Sequence, residues 1–217
     1  MLKSENLCMS FNNTRILNGI NIEINDSDFV VITGESGSGK STLLSILSTL
    51  EKPTSGEVFY DDRPIYKLNE KEISLIRKDS IGIIFQRFYL ESEYTVYENV
   101  ILPLQFDKKK KDDINSRAFD VMKKCNILDK KDDKAKFLSG GEMQRVAIAR
   151  ALINNPKYIF ADEPCGNLDS KNGFLIMELF KKLHKEGKTI ILVTHNKEHI
   201  RYGNKVIELK DGEIINK

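Results

Sequence analysis

The chain has 217 residues, 40% hydrophobic and 30% charged, and its 34 basic and 32 acidic side chains leave a formal charge of +2. That is globular composition, and the near-neutral balance, with no block of interleaved basic and aromatic residues, argues against a nucleic acid partner. No apolar run approaches the roughly 18–20 residues of a membrane span, no signal-peptide core follows Met1, and Cys8, Cys125 and Cys165 lack disulfide or metal spacing, which fits a reducing cytoplasmic compartment.

In chain order, Leu2–Phe11 reads as a strand, with a turn at Asn12-Asn13 and a second strand of alternating apolar residues at Ile20–Ile24. Phe29–Thr33 is continuously apolar, as a strand covered on both faces must be. Gly34–Gly39 reads as a loop, Lys40–Leu50 as a helix and Gly56–Tyr60 as a strand. Asn69 and Glu72 form a capping box before a charged helix ending at Lys78, and Ile81–Phe85 is another buried strand. From Arg87 to Phe137 the chain is lysine-rich and helical in outline, which predicts a helical subdomain over 87–137 inserted into a core made of 1–86 and 138–217. Within it Thr95 and Glu98 cap a helix that Pro103 interrupts.

Ser139 and Glu142 make a further capping box, ahead of the helix in "LSGGEMQRVAIARAL". Strand signals return at Tyr158–Ala161 and Thr189–Thr194. Between them a helix runs from Ser170 to Glu186, with Ile176, Leu179, Phe180 and Leu183 at helical spacing and Gly187 as its stop. Lys205–Asn216 forms a hairpin about Asp211-Gly212. Alternating strands and helices predict an α/β fold with a parallel core sheet and an antiparallel N-terminal β region. The basic runs Lys108–Lys111 and Asp129–Lys136 read as solvated faces, because acids are interspersed, and His184 and His199 read as surface residues.

"GESGSGKS" between a strand and a helix fits G-x-x-x-x-G-K-[ST]. Its glycines permit a backbone whose N–H groups surround phosphate, Lys40 neutralises the β- and γ-phosphates, and Ser41 offers a hydroxyl to Mg²⁺. The candidate nucleotide-binding residues are therefore Gly34, Glu35, Ser36, Gly37, Ser38, Gly39, Lys40, Ser41 and the adjoining Thr42. "YIFADE" ends a strand in two carboxylates: Asp162 is placed to hold the metal and Glu163 to orient the attacking water. The glycines at 140 and 141 leave room at a helix N-terminus for a second anion.

"LSGGE" beside this loop and the "ADE" strand resembles the ATP-binding-cassette ATPases along the whole chain. The resemblance implies that Phe11 stacks on adenine, that Gln86 senses Mg²⁺ and the attacking water, that Asp169 in "GNLD" lies on a loop crossing to a partner subunit, and that His195 in "LVTHN" contacts the γ-phosphate. It also implies that Ser139, Gly140 and Gly141 close over ATP held by a second, head-to-tail copy. "ADEPCGNLDS" and "ENVILPL" are similar to the branch that includes lipoprotein-releasing, macrolide-export and antimicrobial-peptide-resistance ATPases and the cell-division ATPase. The function implied is ATP hydrolysis powering a separate membrane permease from the cytoplasmic face of the membrane. The alternative is a membrane complex that signals to cell-wall enzymes. The segment 88–104, with Phe88, Tyr89, Tyr94 and Tyr97, is the expected permease contact. Departures from the branch pattern are Cys165 for a usual threonine, Arg87, "YLESEY", and Asn196 after the histidine.

Overall fold

The computed structural model describes residues 1–105 and 111–216. Strands β1 (Leu2–Phe11) and β2 (Thr14–Ile24) form a hairpin across Asn12-Asn13, both at positive φ, as a two-residue turn of this hand requires. The second strand starts six residues before the alternating apolar pattern, because Phe11 pairs with Thr14 directly across the turn. With β4 (Ser55–Tyr60) and β5 (Arg63–Pro64) they make an antiparallel sheet in the order β2-β1-β4-β5.

The second sheet contains β3 (Phe29–Thr33), β6 (Ile81–Ile84), β7 (Tyr158–Asp162), β8 (Thr189–Val193), β9 (Lys205–Lys210) and β10 (Glu213–Asn216), in the order β10-β9-β3-β8-β7-β6. All adjacent pairs are parallel except the β9–β10 hairpin. Strand residues alternate between two apolar clusters, as a pleat of period two dictates. Val30, Ile32, Phe160 and Ile191 face α1 (Lys40–Leu47) and the antiparallel sheet, with Leu43, Leu44 and Leu47 opposite. Phe29, Val31, Ile159 and Ile190 face the other cluster, with Val146 and Ile148 of α5 (Gly140–Leu152) and Ile176, Phe180 and Leu183 of α6 (Ser170–Lys185). Both faces are covered, which explains the unbroken apolar runs in the sequence.

Helix α1 stops at Leu47, three residues before the predicted Leu50, where Thr49 takes a left-handed φ of 64°. The capping boxes of α2 (Glu70–Ser80), α3 (Val96–Ile101) and α5 are all formed. After α3 comes a short 3-10 turn at Leu102–Leu104 containing Pro103, and α4 (Lys111–Lys124) follows. Val96, Val100 and Leu104 share their apolar cluster with Met122 and with Leu138 and Val146, so the helices of 96–124 pack onto α5 itself. The basic run at 108–111 lies outside the described residues apart from the start of α4. The Asp129–Lys136 run is on the surface: Lys130 pairs with Asp133 (3.3 Å), Lys131 with Asp132, and Lys134 and Lys136 with Glu93 (3.2 and 2.9 Å). Among the described residues no helix is long and apolar enough to cross a membrane.

Candidate functional site

The carboxyl ends of β3, β7 and β8 lie side by side, the position at which open α/β sheets take ligands. From β3 the chain wraps through Gly34–Gly39 and enters α1. Gly39 caps that helix at φ 98°, a conformation open to glycine without a Cβ penalty, and no side chain bonds the helix start. Against it opens a cavity of about 510 Å³, lined by the loop and α1 (Ser36, Gly37, Gly39, Lys40, Ser41, Thr42), by Gln86, Glu163 and His195, and by Ile16 and Val193.

Lys40 is buried, and its Nζ donates to the carbonyl oxygens of Gly34 (2.9 Å) and Glu35 (2.6 Å), both neutral partners. The buried Ser38 hydroxyl has no hydrogen-bond partner among the described residues. An uncapped helix start and a buried cation beside the cavity together fit the phosphates of a nucleotide. Across the cavity Ser41 Oγ donates to Asp162 Oδ1 at 3.1 Å. Burial pushes the Asp162 carboxyl above the usual carboxylate range, and neighbouring Glu163 pushes the same way, against the Ser41 hydrogen bond and Lys40. A carboxylate held at this cost beside a hydroxyl suits Mg²⁺, a hard cation that takes oxygen ligands and stabilises the ionised form.

Glu163 follows Asp162 at a φ of 45°, unusual for a residue with a Cβ. The turn aims its carboxylate at the end of β8. There Oε1 accepts from the His195 backbone N–H (2.8 Å) and meets His195 Nδ1 (2.7 Å), and Oε2 accepts from Thr194 Oγ1 (3.2 Å). Gln86 lies against Gly166, and its carbonyl accepts from Asn167 Nδ2 (3.1 Å), so the loop after β6 is tied to the loop before α6. Asp169 caps α6 by accepting from the Asn172 N–H (2.9 Å) and Nδ2 (2.7 Å), and the bond to that N–H leads in holding its carboxyl below the usual range.

The start of α5 is closed by its own cap. Glu142 Oε2 accepts from both the backbone N–H and the hydroxyl of exposed Ser139, each at 2.8 Å, and the Glu142 N–H reaches back to Ser139 Oγ at 3.4 Å.

Residues 17–166 match the family model described as ABC transporter. The chain is an ABC transporter ATPase subunit. This cassette is 43% identical to the lipoprotein-releasing system ATP-binding protein LolD of Aquifex aeolicus, over 99% of the chain and 96% of that protein. It is 42% identical to the macrolide export ATP-binding/permease protein MacB of Campylobacter jejuni, over 99% of the chain and 34% of that longer protein. Its fold superposes with a TM-score of 0.91 on the dimeric post-hydrolysis structure of the ATP-binding cassette MJ0796 bound to ADP and Pi, at 42% identity, covering 100% of this chain and 97% of that one. The cassette thus binds ATP and has the α/β fold of its family, with a parallel core sheet and an antiparallel N-terminal β region.

The cassette brings Lys40, Ser41, Thr42, Gln86, Glu163 and His195 together at one cavity, with Asp162 bonded to Ser41. Ser139, Gly140 and Gly141 are not among its lining residues, and neither is Phe11, which sits half-exposed at the end of the β1–β2 hairpin. Ile16 supplies an apolar wall that nothing in the sequence marked, because the first half of β2 has no alternating pattern. One histidine reading is corrected, that of His199. His199 is buried, bonded at Nδ1 to Thr194 Oγ1 (3.1 Å), and His184 is half-buried against Phe29 with Nε2 at 2.7 Å from the Ser27 carbonyl. Tyr97 also faces inward: its hydroxyl bonds Asn115 Oδ1 (2.5 Å), which leaves Tyr89 and Tyr94 as the exposed tyrosines of 88–104.

Proposed function

We propose that this cassette dimerises head to tail with a second copy, encloses two Mg²⁺-ATP, and powers a separate integral membrane permease. It would work at the cytoplasmic face of the membrane, exporting or extracting a peptide, lipoprotein or drug. The observation that carries the dimer is a contrast between two adjacent glycines. A Cβ on Gly141 would fall 2.3 Å from Asn172 Oδ1, so the Asn172 side chain, which bonds Asp169, would have to shift. A Cβ on Gly140 would meet only ordinary contacts, 3.6 Å to Leu168 and 3.9 Å to Asn167 and Phe88. Nothing within the chain requires glycine there, which in this reading leaves room for the approach of a partner's nucleotide, and the solved relatives of this cassette include dimers. The direction of transport rests on the printed roles of LolD and MacB.

In this reading Lys40 and the N-terminus of α1 bind and neutralise the phosphates. Ser41 and Asp162, with Gln86 beside them, hold Mg²⁺, which shields phosphate charge when bound. Glu163, aimed by His195 and Thr194, takes the proton of the attacking water, and His195 stands over the transferred phosphate. Phe11 borders the adenine. Tyr89 and Tyr94 are the docking surface for the permease, on a loop whose Phe88 and Tyr89 carbonyls accept from Arg150 of α5 at 2.9 and 2.5 Å.

Glu163→Gln keeps the phosphate and metal ligands and removes the base. ATP affinity is expected to stay within about twofold and turnover to fall by at least about a hundredfold. Gel filtration of this variant then shows a dimer with Mg²⁺-ATP and a monomer with ADP. Turnover at the wild-type rate would end the assignment of Glu163. Replacing Tyr89 and Tyr94 by Ser reduces co-purification of the membrane partner while ATPase activity in detergent persists.

A further inference from the structure

The hydrogen bond on Glu163 Oε2 does not stop at Thr194. Thr194 is 1% exposed and His199, five residues on, is 9% exposed. His199 Nδ1 lies 3.1 Å from Thr194 Oγ1, and His199 Nε2 lies 3.4 Å from Asn196 Nδ2. The direction of every bond in this chain is fixed by what each group can do. Asn196 Oδ1 accepts from the Glu198 N–H at 2.9 Å, capping the 3-10 turn Lys197–Tyr202, so the amide is oriented with Nδ2 toward the ring. Nδ2 only donates, so His199 Nε2 accepts and the proton of the neutral imidazole sits on Nδ1. Nδ1–H donates to Thr194 Oγ1. The Asn196 backbone N–H donates to the same oxygen at 3.1 Å. With both lone pairs occupied, the threonine has one proton left, and the carboxylate 3.2 Å away receives it.

We propose that His199 is a positioning residue for the catalytic base: through Thr194 it fixes a hydroxyl proton on Glu163 Oε2 and so holds the carboxylate in its reactive orientation. The proposal rests on the reading of Glu163 as base. Without His199 the Thr194 hydroxyl keeps one fixed donor and is free to turn its proton away from Glu163. The buried ring is suited to the neutral form the relay needs. Burial lowers its affinity for a proton, and a proton on Nε2 would face the Asn196 Nδ2 donor. The groups that face the ring are Glu163 across Thr194, Glu198 and Arg201 on its own turn, His195 at the end of β8, and Asp169 on the wall of a 170 Å³ cavity it shares.

The test compares two polar replacements whose amides sit at different ring positions. Asn places its amide where Nδ1 was, within reach of Thr194, and Gln places it at the Nε2 position. Gln is nearer to His in volume, so packing alone favours Gln, whereas the relay favours Asn. The expected result is kcat within about twofold of wild type for His199→Asn and about three- to tenfold lower for His199→Gln and His199→Leu, the range a single neutral hydrogen bond allows. ATP affinity is unchanged in all three, and His199→Leu adds nothing on top of Thr194→Val. Wild-type kcat in the Gln and Leu variants, an Asn variant no faster than Gln, or additive loss with Thr194→Val overturns the proposal. Should any of these occur while Glu163→Gln is inactive, the relay alone is lost. An active Glu163→Gln removes the base and the relay together.

Discussion

The starts of α1 and α5 are built from similar materials, glycines ahead of a helix, and end in opposite states. Helix α1 begins at a left-handed Gly39 with no side-chain cap, a buried Lys40 and a cavity in front of it. Helix α5 begins at Ser139 with a complete capping box, exposed, its hydroxyl donating to Glu142. The first presents uncapped backbone donors to a cavity where an anion can accept from them, since helix-end N–H groups need an acceptor from somewhere. The second has already found an internal acceptor. A phosphate brought to α5 would compete with a carboxylate that shares its sign.

The largest test of that contrast mixes two variants. Lys40→Ala removes the buried cation of α1 and should weaken ATP binding by at least about a hundredfold, read by calorimetry. Ser139→Arg should bind ATP normally but fail to dimerise. Mixed in a Glu163→Gln background, the two should form a heterodimer trapping one nucleotide, because one interface then joins an intact Lys40 to an intact Ser139. If the mixture traps no more than either variant alone, while the parent does, α5 does not serve the partner's ATP.

A finer test separates the two glycines. Gly141→Ala drives a Cβ into the Asn172 side chain and should cost about 1–3 kcal/mol of unfolding free energy. Gly140→Ala should leave monomer stability within about 0.5 kcal/mol and weaken the ATP-dependent dimer. Equal effects of Gly140→Ala on monomer and dimer would place the demand for glycine inside the chain after all.

The smallest expected effect concerns pH. The Ser139 backbone N–H, with the hydroxyl beside it, holds the Glu142 carboxyl below the usual carboxylate range. A depressed acid contributes stability that is present above its unfolded pKa and lost as pH falls through the folded one. Glu142→Gln should therefore flatten the acid side of the stability curve below about pH 4.5, by less than about 1 kcal/mol after solvent screening. Measured at neutral pH with ATP, the same variant should dimerise more readily, because the competing carboxylate charge is gone.

The α1 site was legible because its chemistry is local: strand, glycine loop, lysine and serine lie within a dozen residues, and the run Phe29–Thr33 announces its own burial. The cluster of Glu163, Thr194 and His199 was half legible. Glu163 and His195 stand in recognisable words, but His199 has no pattern around it. Its burial comes from a 3-10 turn folding back over the end of β8, a tertiary event with no sequence period. Tyr97 reads as exposed in a polar stretch, but its helix sets it half-buried against Asn115 and Phe119. Helix ends such as Leu47 were missed by a few residues, since a left-handed Thr49 is not foreseen from composition.

Arg150 is the eleventh residue of α5, which starts at Gly140, and its guanidinium grips two carbonyls of the loop that carries Tyr89. A helix is stiff along its axis, and about 16 Å of axial rise separates the backbone of Arg150 from that of Ser139. Loop, arginine and helix thus make a crank. A displacement of the loop at Tyr89 is carried through Arg150 to α5, and a displacement of α5 is carried back to the loop. The coupling runs through the Arg150 side chain, whose planar fork fixes the angle between loop and helix as well as their distance, and through the Phe88 ring, which approaches Gly140.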